Sequence, residues 1–219
     1  MIWDWAYTLE ILPRLARAAI ITVEATLLGF VFAAILGLVL AVVRLAFPKT
    51  LVPISVFVEF IRSTPLLIQI FFLYFVFPSF GIVLDAFTAG VLALGLHYGA
   101  YCSEVYRAGF EGVHRGQWEA ATALNLDTWT TFRDIIVPQA IPPTVPALGN
   151  YLVALLKETP LLSAIAVLEL MQTAKILGSE NFRYTEPITL VGLFFLAMSL
   201  VSAMLIRMVE AALKRRYVR

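Results

Sequence analysis

Apolar residues in this chain do not alternate with polar ones. They come in long, nearly unbroken runs separated by short charged or proline-marked gaps. The first run covers residues 18–43, is interrupted only by Glu24, and ends at Arg44, Pro48 and Lys49. The second covers 53–77 and carries Glu59, Arg62 and Pro65 inside it; Pro78, Ser79 and Gly81 then mark a turn. Further runs cover 86–106, 145–168 (with Lys157, Glu158 and Pro160 inside) and 187–208. A bilayer crossing takes about 20 mostly apolar helical residues, and a helix satisfies its own backbone groups where no water can. The pattern predicts an all-α integral membrane protein with five transmembrane helices inside a domain of residues 18–208. Residues 1–17 mix Trp3, Trp5 and Tyr7 with Asp4 and Glu10 and lack the basic start and apolar run of a cleaved signal. Such aromatic residues favour the membrane boundary, so an interfacial lead-in is expected there. The longest polar interruption, about 107–143, predicts a loop, and residues 209–219 form a basic tail.

Composition agrees: 61% of residues are hydrophobic, 14% are charged, and mean hydropathy is +0.88. A soluble globular enzyme is excluded by so few charges, since ordinary soluble domains carry about 25%. The single cysteine, Cys102, can form no intrachain disulfide. A net charge of +1 says little until the charges are sorted by position. Arg44, Lys49, Arg107, Arg115, Arg133, Arg207, Lys214, Arg215, Arg216 and Arg219 all fall on one side of the expected spans. Only Arg14, Arg17, Lys175 and Arg183 fall on the other. Basic residues are retained on the cytoplasmic side. The expected topology therefore has the N-terminus outside, the C-terminus in the cytoplasm, and loop 107–143 inside.

Within that loop, residues 116–124 favour a helix, with Trp118, Ala121 and Leu124 recurring along one side. Asn125 tolerates the left-handed turn that closes helices. Asp127 can cap a second short helix over 128–136, which carries Trp129, Phe132 and Ile136. Pro138 is expected to end it. A DNA-binding role would need a basic surplus that this helix–turn–helix lacks, so no nucleic acid partner is expected. Spacing alone leaves two readings open: packing against the chain's own bundle, or docking into a groove on a soluble partner.

Glu119-Ala120-Ala121, the turn at Asn125, and Ile135, Val137 and Pro138 resemble the EAA loop of ABC-importer permeases. That family's pattern has Gly where Asn125 stands and Leu where Val137 stands. Arg62-Ser63-Thr64-Pro65-Leu66-Leu67-Ile68-Gln69 is similar to the "RGTPLLVQ" block of the polar amino-acid subfamily. Pro146-Ala147-Leu148-Gly149-Asn150 and Leu156-Lys157-Glu158-Thr159 also fit that subfamily. The resemblance implies that Trp118, Glu119, Ala120, Ala121, Leu124, Asn125 and Pro138 form the contact with a separate ATPase. It also implies two ATPase subunits carrying ATP and Mg, a second permease subunit (identical or homologous) and an extracytoplasmic solute-binding protein. The chain itself has no phosphate-binding Gly-rich loop, and no cofactor is expected on it.

Charges inside a span cost at least about 2.5–3.5 kcal/mol on insertion scales, so each needs an account. Glu59 and Arg62, three apart, share a helix face and can offset each other; alternatively, Arg62 meets a substrate carboxylate. Lys157 and Glu158 diverge by about 100° on a helix, so they line a path or contact another helix. Together with Thr64, Gln69, Asn150 and Tyr151, these residues form the candidate pathway. Members of the subfamily that carry cationic amino acids often place an acid directly after the Asn, where this chain has Tyr151. The region around Asn150-Tyr151 and Leu168-Glu169-Leu170-Met171 looks closest to ectoine/hydroxyectoine permeases, which implies a small zwitterion as substrate. Tyr151 could equally pack or anchor at the interface. The expected function is that of an importer permease of the bacterial inner membrane, with another polar amino acid as the alternative substrate. An ion channel or an intramembrane enzyme remains the alternative of a different class. The enzyme reading is weak because His97 stands alone in the spans.

Overall fold

The computed structural model describes residues 3–217, with side chains described for all of them except 48 and 214–217. Residues 1–2 of the expected lead-in and 218–219 of the expected tail lie outside the described residues. Helix α1, Trp5–Ala46, starts at Asp4, whose carboxylate accepts from the Tyr7 amide at 3.1 Å. No helix break separates the expected lead-in from the first span. At 1.5 Å per residue its 42 residues reach about 63 Å, well beyond a hydrocarbon core of about 30 Å.

Helix α4, Ala86–Glu111, lies against α1 along a seam of small residues that includes Ala25, Gly29, Ala33, Gly37 and Ala41. The backbones come close at Gly37, where an added Cβ would stand 2.6 Å from the Cys102 Cβ and 2.9 Å from the Gly99 carbonyl oxygen. Gly29 meets Leu94 and Gly37 meets Cys102, so the two helices run parallel. The chain returns between them through α2, Leu51–Ser63, and α3, Leu66–Phe71, which continues as a π-turn and a 3₁₀ turn to Phe80.

Past Glu111 the chain forms α5, Arg115–Ala123, and the single turn α6, Thr128–Thr130. Pro138 does not end the second loop helix. A π-turn, Thr131–Ile136, leads directly into α7, Val137–Glu158, and Pro138 falls in the first turn of that helix, where its missing N–H costs nothing. The long helix of the fourth expected run thus begins at Val137, and the loop is shorter than expected. Helix α7 runs antiparallel to α4, with Gly109 against Ala140 and Gly90 against Leu162. A 3₁₀ segment, Thr159–Ile165, follows, and then α8, Leu170–Glu180. Leu170, Ala174 and Leu177 of α8 pack on Tyr7, Ile11 and Leu15 of α1, in an interval between the fourth and fifth expected runs where no helix was expected. Helix α9, Thr185–Tyr217, closes the fold.

By length and composition, α1 and residues 185–213 of α9 can each cross a membrane. Two bent pairs, Leu51–Ser63 with Leu66–Phe80 and Thr128–Ile165 with Leu170–Glu180, raise that number to four. The third expected run, α4, is 26 residues long but carries Gly90, Gly95, His97, Gly99 and Ser103 on its buried positions, and it is not among those four. Surrounded by other helices, it has little need of an apolar surface of its own.

Candidate functional site

The break between α2 and α3 prepares the first part of the site. Proline pushes the residue before it out of helical geometry, and Thr64 is extended at φ −101°, ψ 132°. The two halves meet at 102°. Carbonyls freed by the break are recovered by Gln69, whose amide donates to Ile61 O at 2.8 Å and Thr64 O at 3.1 Å. The Thr64 hydroxyl donates to Phe60 O at 2.7 Å. Two expected pathway residues, Thr64 and Gln69, are thereby committed to holding the bend.

Arg62, in the last turn of α2, is half-buried and pairs with Glu59 at 3.4 Å. Its guanidinium carbon lies 5.1 Å from the Tyr101 ring centroid, and the Tyr101 hydroxyl donates to Arg62 O at 3.5 Å. The ion pair is formed, yet the guanidinium Nε is buried without a hydrogen-bond partner among the described residues.

Tyr101 belongs to an aromatic cluster. Its ring lies 6.1 Å from Tyr98 and 5.4 Å from Tyr151, while His97 lies 5.5 Å from Tyr98 and 5.3 Å from Tyr101. Glu158 lies beside the Tyr98 hydroxyl. The Glu158 Oε2 and His97 Nδ1 atoms are buried without a hydrogen-bond partner among the described residues. Seven residues make about two helical turns, so Tyr151 and Glu158 share the face of α7 turned to α4. Asn150 and Lys157 share the adjacent face. They line a separate groove of about 470 Å³ with Arg207 and Glu210 of α9. The candidate pathway residues of α7 thus divide into two sites.

The loop between α4 and α7 has an inner and an outer side. Trp118 packs edge-on against Phe132 at 5.5 Å, Phe132 reaches Phe110 at 6.4 Å, and Ala121 is buried. Glu119, Ala120 and Asn125 are exposed, and Leu124 is 71% exposed. Leu124 therefore does not share the side of Trp118 and Ala121 as its spacing implied; it caps α5 and turns outward. Asn125 adopts φ +53°, the left-handed turn expected of it. Asp127 accepts from the Thr130 amide at 3.1 Å and the Thr130 hydroxyl at 2.6 Å, which hold its carboxyl below the usual aspartate range.

Two features escaped sequence reading. Trp129, 71% exposed, extends the outer side of the loop. Its signal was an aromatic residue just after a helix cap, in a turn too short to bury it. The other feature is an ion network at the loop end of the bundle. Arg44 donates to Glu104 at 2.5 Å and to Ser55 at 2.9 Å, and Arg107 bridges Glu104 and Glu111 at 2.8 and 2.7 Å. It ties α1, α2 and α4 together directly above the loop.

A family-level match, to the binding-protein-dependent transport system inner membrane component, spans residues 33–215. The chain is 46% identical over 214 residues to the probable amino-acid ABC transporter permease protein y4tG of Sinorhizobium fredii, covering 97% of this chain and 93% of that one. It is 39% identical over 170 residues to the L-cystine transport system permease protein TcyB of Bacillus subtilis, covering 77% and 73%. A crystal structure of an amino acid ABC transporter with histidines superposes with a TM-score of 0.88 at 33% identity, over 97% of this chain and 100% of that one. The chain belongs to the family of inner membrane components of binding-protein-dependent transport systems.

Proposed function

We propose that this chain is the permease subunit of an ATP-driven ABC importer, and that a small polar zwitterion passes the tyrosine cluster between Arg62 and Glu158. The observation that carries this reading is the set of uncommitted buried atoms: Arg62 Nε, His97 Nδ1 and Glu158 Oε2. Buried polar atoms nearly always find partners. An amino acid offers the missing ones, with its carboxylate toward the guanidinium and its ammonium toward Glu158. The ring faces of Tyr98, Tyr101 and Tyr151 attract cationic groups. The amino-acid substrates in the relatives' names support a polar amino acid as the class. Ectoine, also a small zwitterion, is the second candidate. Tyr151 in place of an acid after Asn150 favours either of these over arginine, lysine or histidine.

In this reading the chain crosses the bacterial inner membrane five times, through α1, α2–α3, α4, α7 and α9. The N-terminus lies outside and the C-terminus in the cytoplasm, a topology supported by the ten basic residues at one end. Five helices enclose little, so an identical or homologous permease subunit completes the pathway, and an extracytoplasmic solute-binding protein delivers the substrate. The outward-facing Glu119, Ala120, Leu124 and Trp129 support docking of the loop in a groove of an ATPase, one of two, on which ATP and Mg reside. No covalent chemistry occurs on this chain. Substrate and nucleotide shift the balance between facing states only through different affinities for them.

The test is uptake into proteoliposomes holding the assembled transporter and its binding protein, with labelled glutamine, cystine, arginine and ectoine compared. ATP-dependent uptake of one zwitterion, with a raised KM in Glu158→Gln, is expected. Uptake that proceeds without ATP would make the protein a channel, and a preference for arginine would overturn the role given to Tyr151.

A further inference from the structure

A second cleft, of about 290 Å³, opens between α1 and α8 at the N-terminal end of the bundle, far from the loop. Arg14 and Arg17 of α1 line its start. Ala18, Ile21 and Leu168 line its continuation, with Thr173 of α8 on the facing wall. The two arginines are not equivalent. Arg14 is engaged by Glu180 in a two-point contact at 2.7 and 3.1 Å. Arg17 is exposed and has no carboxylate partner among the described residues.

Position along the helix gives the cleft its chemistry. Arg17 is the last charged residue of α1 before the apolar run that begins at residue 18, so it stands where head groups meet hydrocarbon. Arg14 and Ile21 are seven residues apart, about 10 Å along the axis. The cleft passes from guanidinium to aliphatic lining in that distance, and Leu168 on its deeper side is itself 55% exposed. A guanidinium presents a rigid fork of donors suited to the phosphate oxygens of an anionic head group. A free phosphate ion would satisfy Arg17 but leave Ile21 and Leu168 bare; a phospholipid satisfies both ends.

We infer that this cleft binds an anionic phospholipid, its phosphate on Arg17 and an acyl chain along Ile21 and Leu168. Glu180 and Glu10 act on Arg14, whereas Arg17 has no carboxylate partner among the described residues, and its free guanidinium selects an anionic lipid over a zwitterionic one. The site is independent of the transported solute.

The experiment is native mass spectrometry of the detergent-purified transporter, titrated with phosphatidylglycerol, phosphatidylcholine or inorganic phosphate. Phosphatidylglycerol should be retained about 5-fold more tightly than phosphatidylcholine, the size expected of one basic residue near a charged head group. Arg17→Gln should remove that preference, and Arg17→Lys should keep part of it. Ile21→Trp, which fills the apolar end and leaves Arg17 in place, should weaken retention of both lipids. Thermal unfolding without added lipid should be unchanged in Arg17→Gln. Equal retention by wild type and Arg17→Gln overturns the site. Displacement of lipid by inorganic phosphate at matched concentration overturns the lipid assignment.

Discussion

The tyrosine cluster and the loop between α4 and α7 break the same rule in opposite directions. Inside the bundle, where polar atoms should be paired, Arg62, His97 and Glu158 each keep one that is not. On the loop, where apolar groups should be covered, Leu124 and Trp129 are bare. Both departures cost stability within the chain, and the proposed function assigns each a different remedy from outside it. Unpaired charge and hydrogen-bonding capacity suit a small polar solute that comes and goes. Bare apolar surface suits a protein that stays. The chemistry of each vacancy thus separates what is carried from what does the driving.

The largest effect is expected from reversing the charge at Glu119, which is exposed and has no hydrogen bond or ion pair among the described residues. Glu119→Arg, or a bulky residue at Ala120, should reduce uptake by about 100-fold while the protein still inserts, since opposing a buried interface charge costs several kcal/mol. Normal uptake by both variants would remove the coupling role. Next in size, Glu158→Gln should raise the KM for uptake about 10-fold, as loss of a charged hydrogen bond does. ATP hydrolysed per solute should not change. A fall in maximal rate with unchanged KM would make Glu158 structural.

A smaller contrast sharpens the loop's two sides. Trp129→Ala should leave thermal stability unchanged and lower uptake about 5-fold, the loss expected of an interface aromatic worth about 1 kcal/mol. Trp118→Ala should do the reverse first, lowering the unfolding midpoint because it removes the packing on Phe132. Equal stability losses in both would mean that the loop has one face. The smallest effect is that of pH. Asp127 caps α6 as a carboxylate with a pKa depressed in the folded state, chiefly by the Thr130 side-chain hydrogen bond. Its contribution is present above the ordinary aspartate value and is lost as pH falls through the depressed one. The protection of the Thr130 amide, measured against its intrinsic exchange rate, should therefore be flat near neutral pH and fall only in acid, and Asp127→Ala should abolish that dependence.

Much of this was legible along the chain, and the reasons for success and failure differ. The apolar runs pointed to an all-helical membrane fold because lipid demands continuous hydrophobicity. By length and composition alone, however, only up to four of the five can cross, α4 not among them. The Glu59–Arg62 pair read correctly because three residues apart is a local relation. So did Asn125 and Asp127, whose roles lie within one turn. Helix α8 was hidden because its buried positions, Leu170, Ala174 and Leu177, are interleaved with Gln172 and Lys175, and only the surface of α1 gives that stripe a purpose. Pro138 misled because the π-turn before it lets a helix begin where one seemed to end. The committed role of Gln69 and the tie between Arg44 and Glu104, 60 residues apart, exist only once the chain has folded back on itself. Lys157 and Glu158 were correctly read as diverging, but what each faces depends on which helices lie beside α7.

Under the proposed function, the cluster handles solute and the loop handles energy. That division is tested most directly by measuring solute imported per ATP hydrolysed in proteoliposomes, for wild type, Glu158→Gln and Glu119→Arg side by side. The account predicts an unchanged ratio for Glu158→Gln with a higher KM, and a ratio reduced at least about 10-fold for Glu119→Arg. A preserved ratio in Glu119→Arg, or a collapsed one in Glu158→Gln, would contradict it.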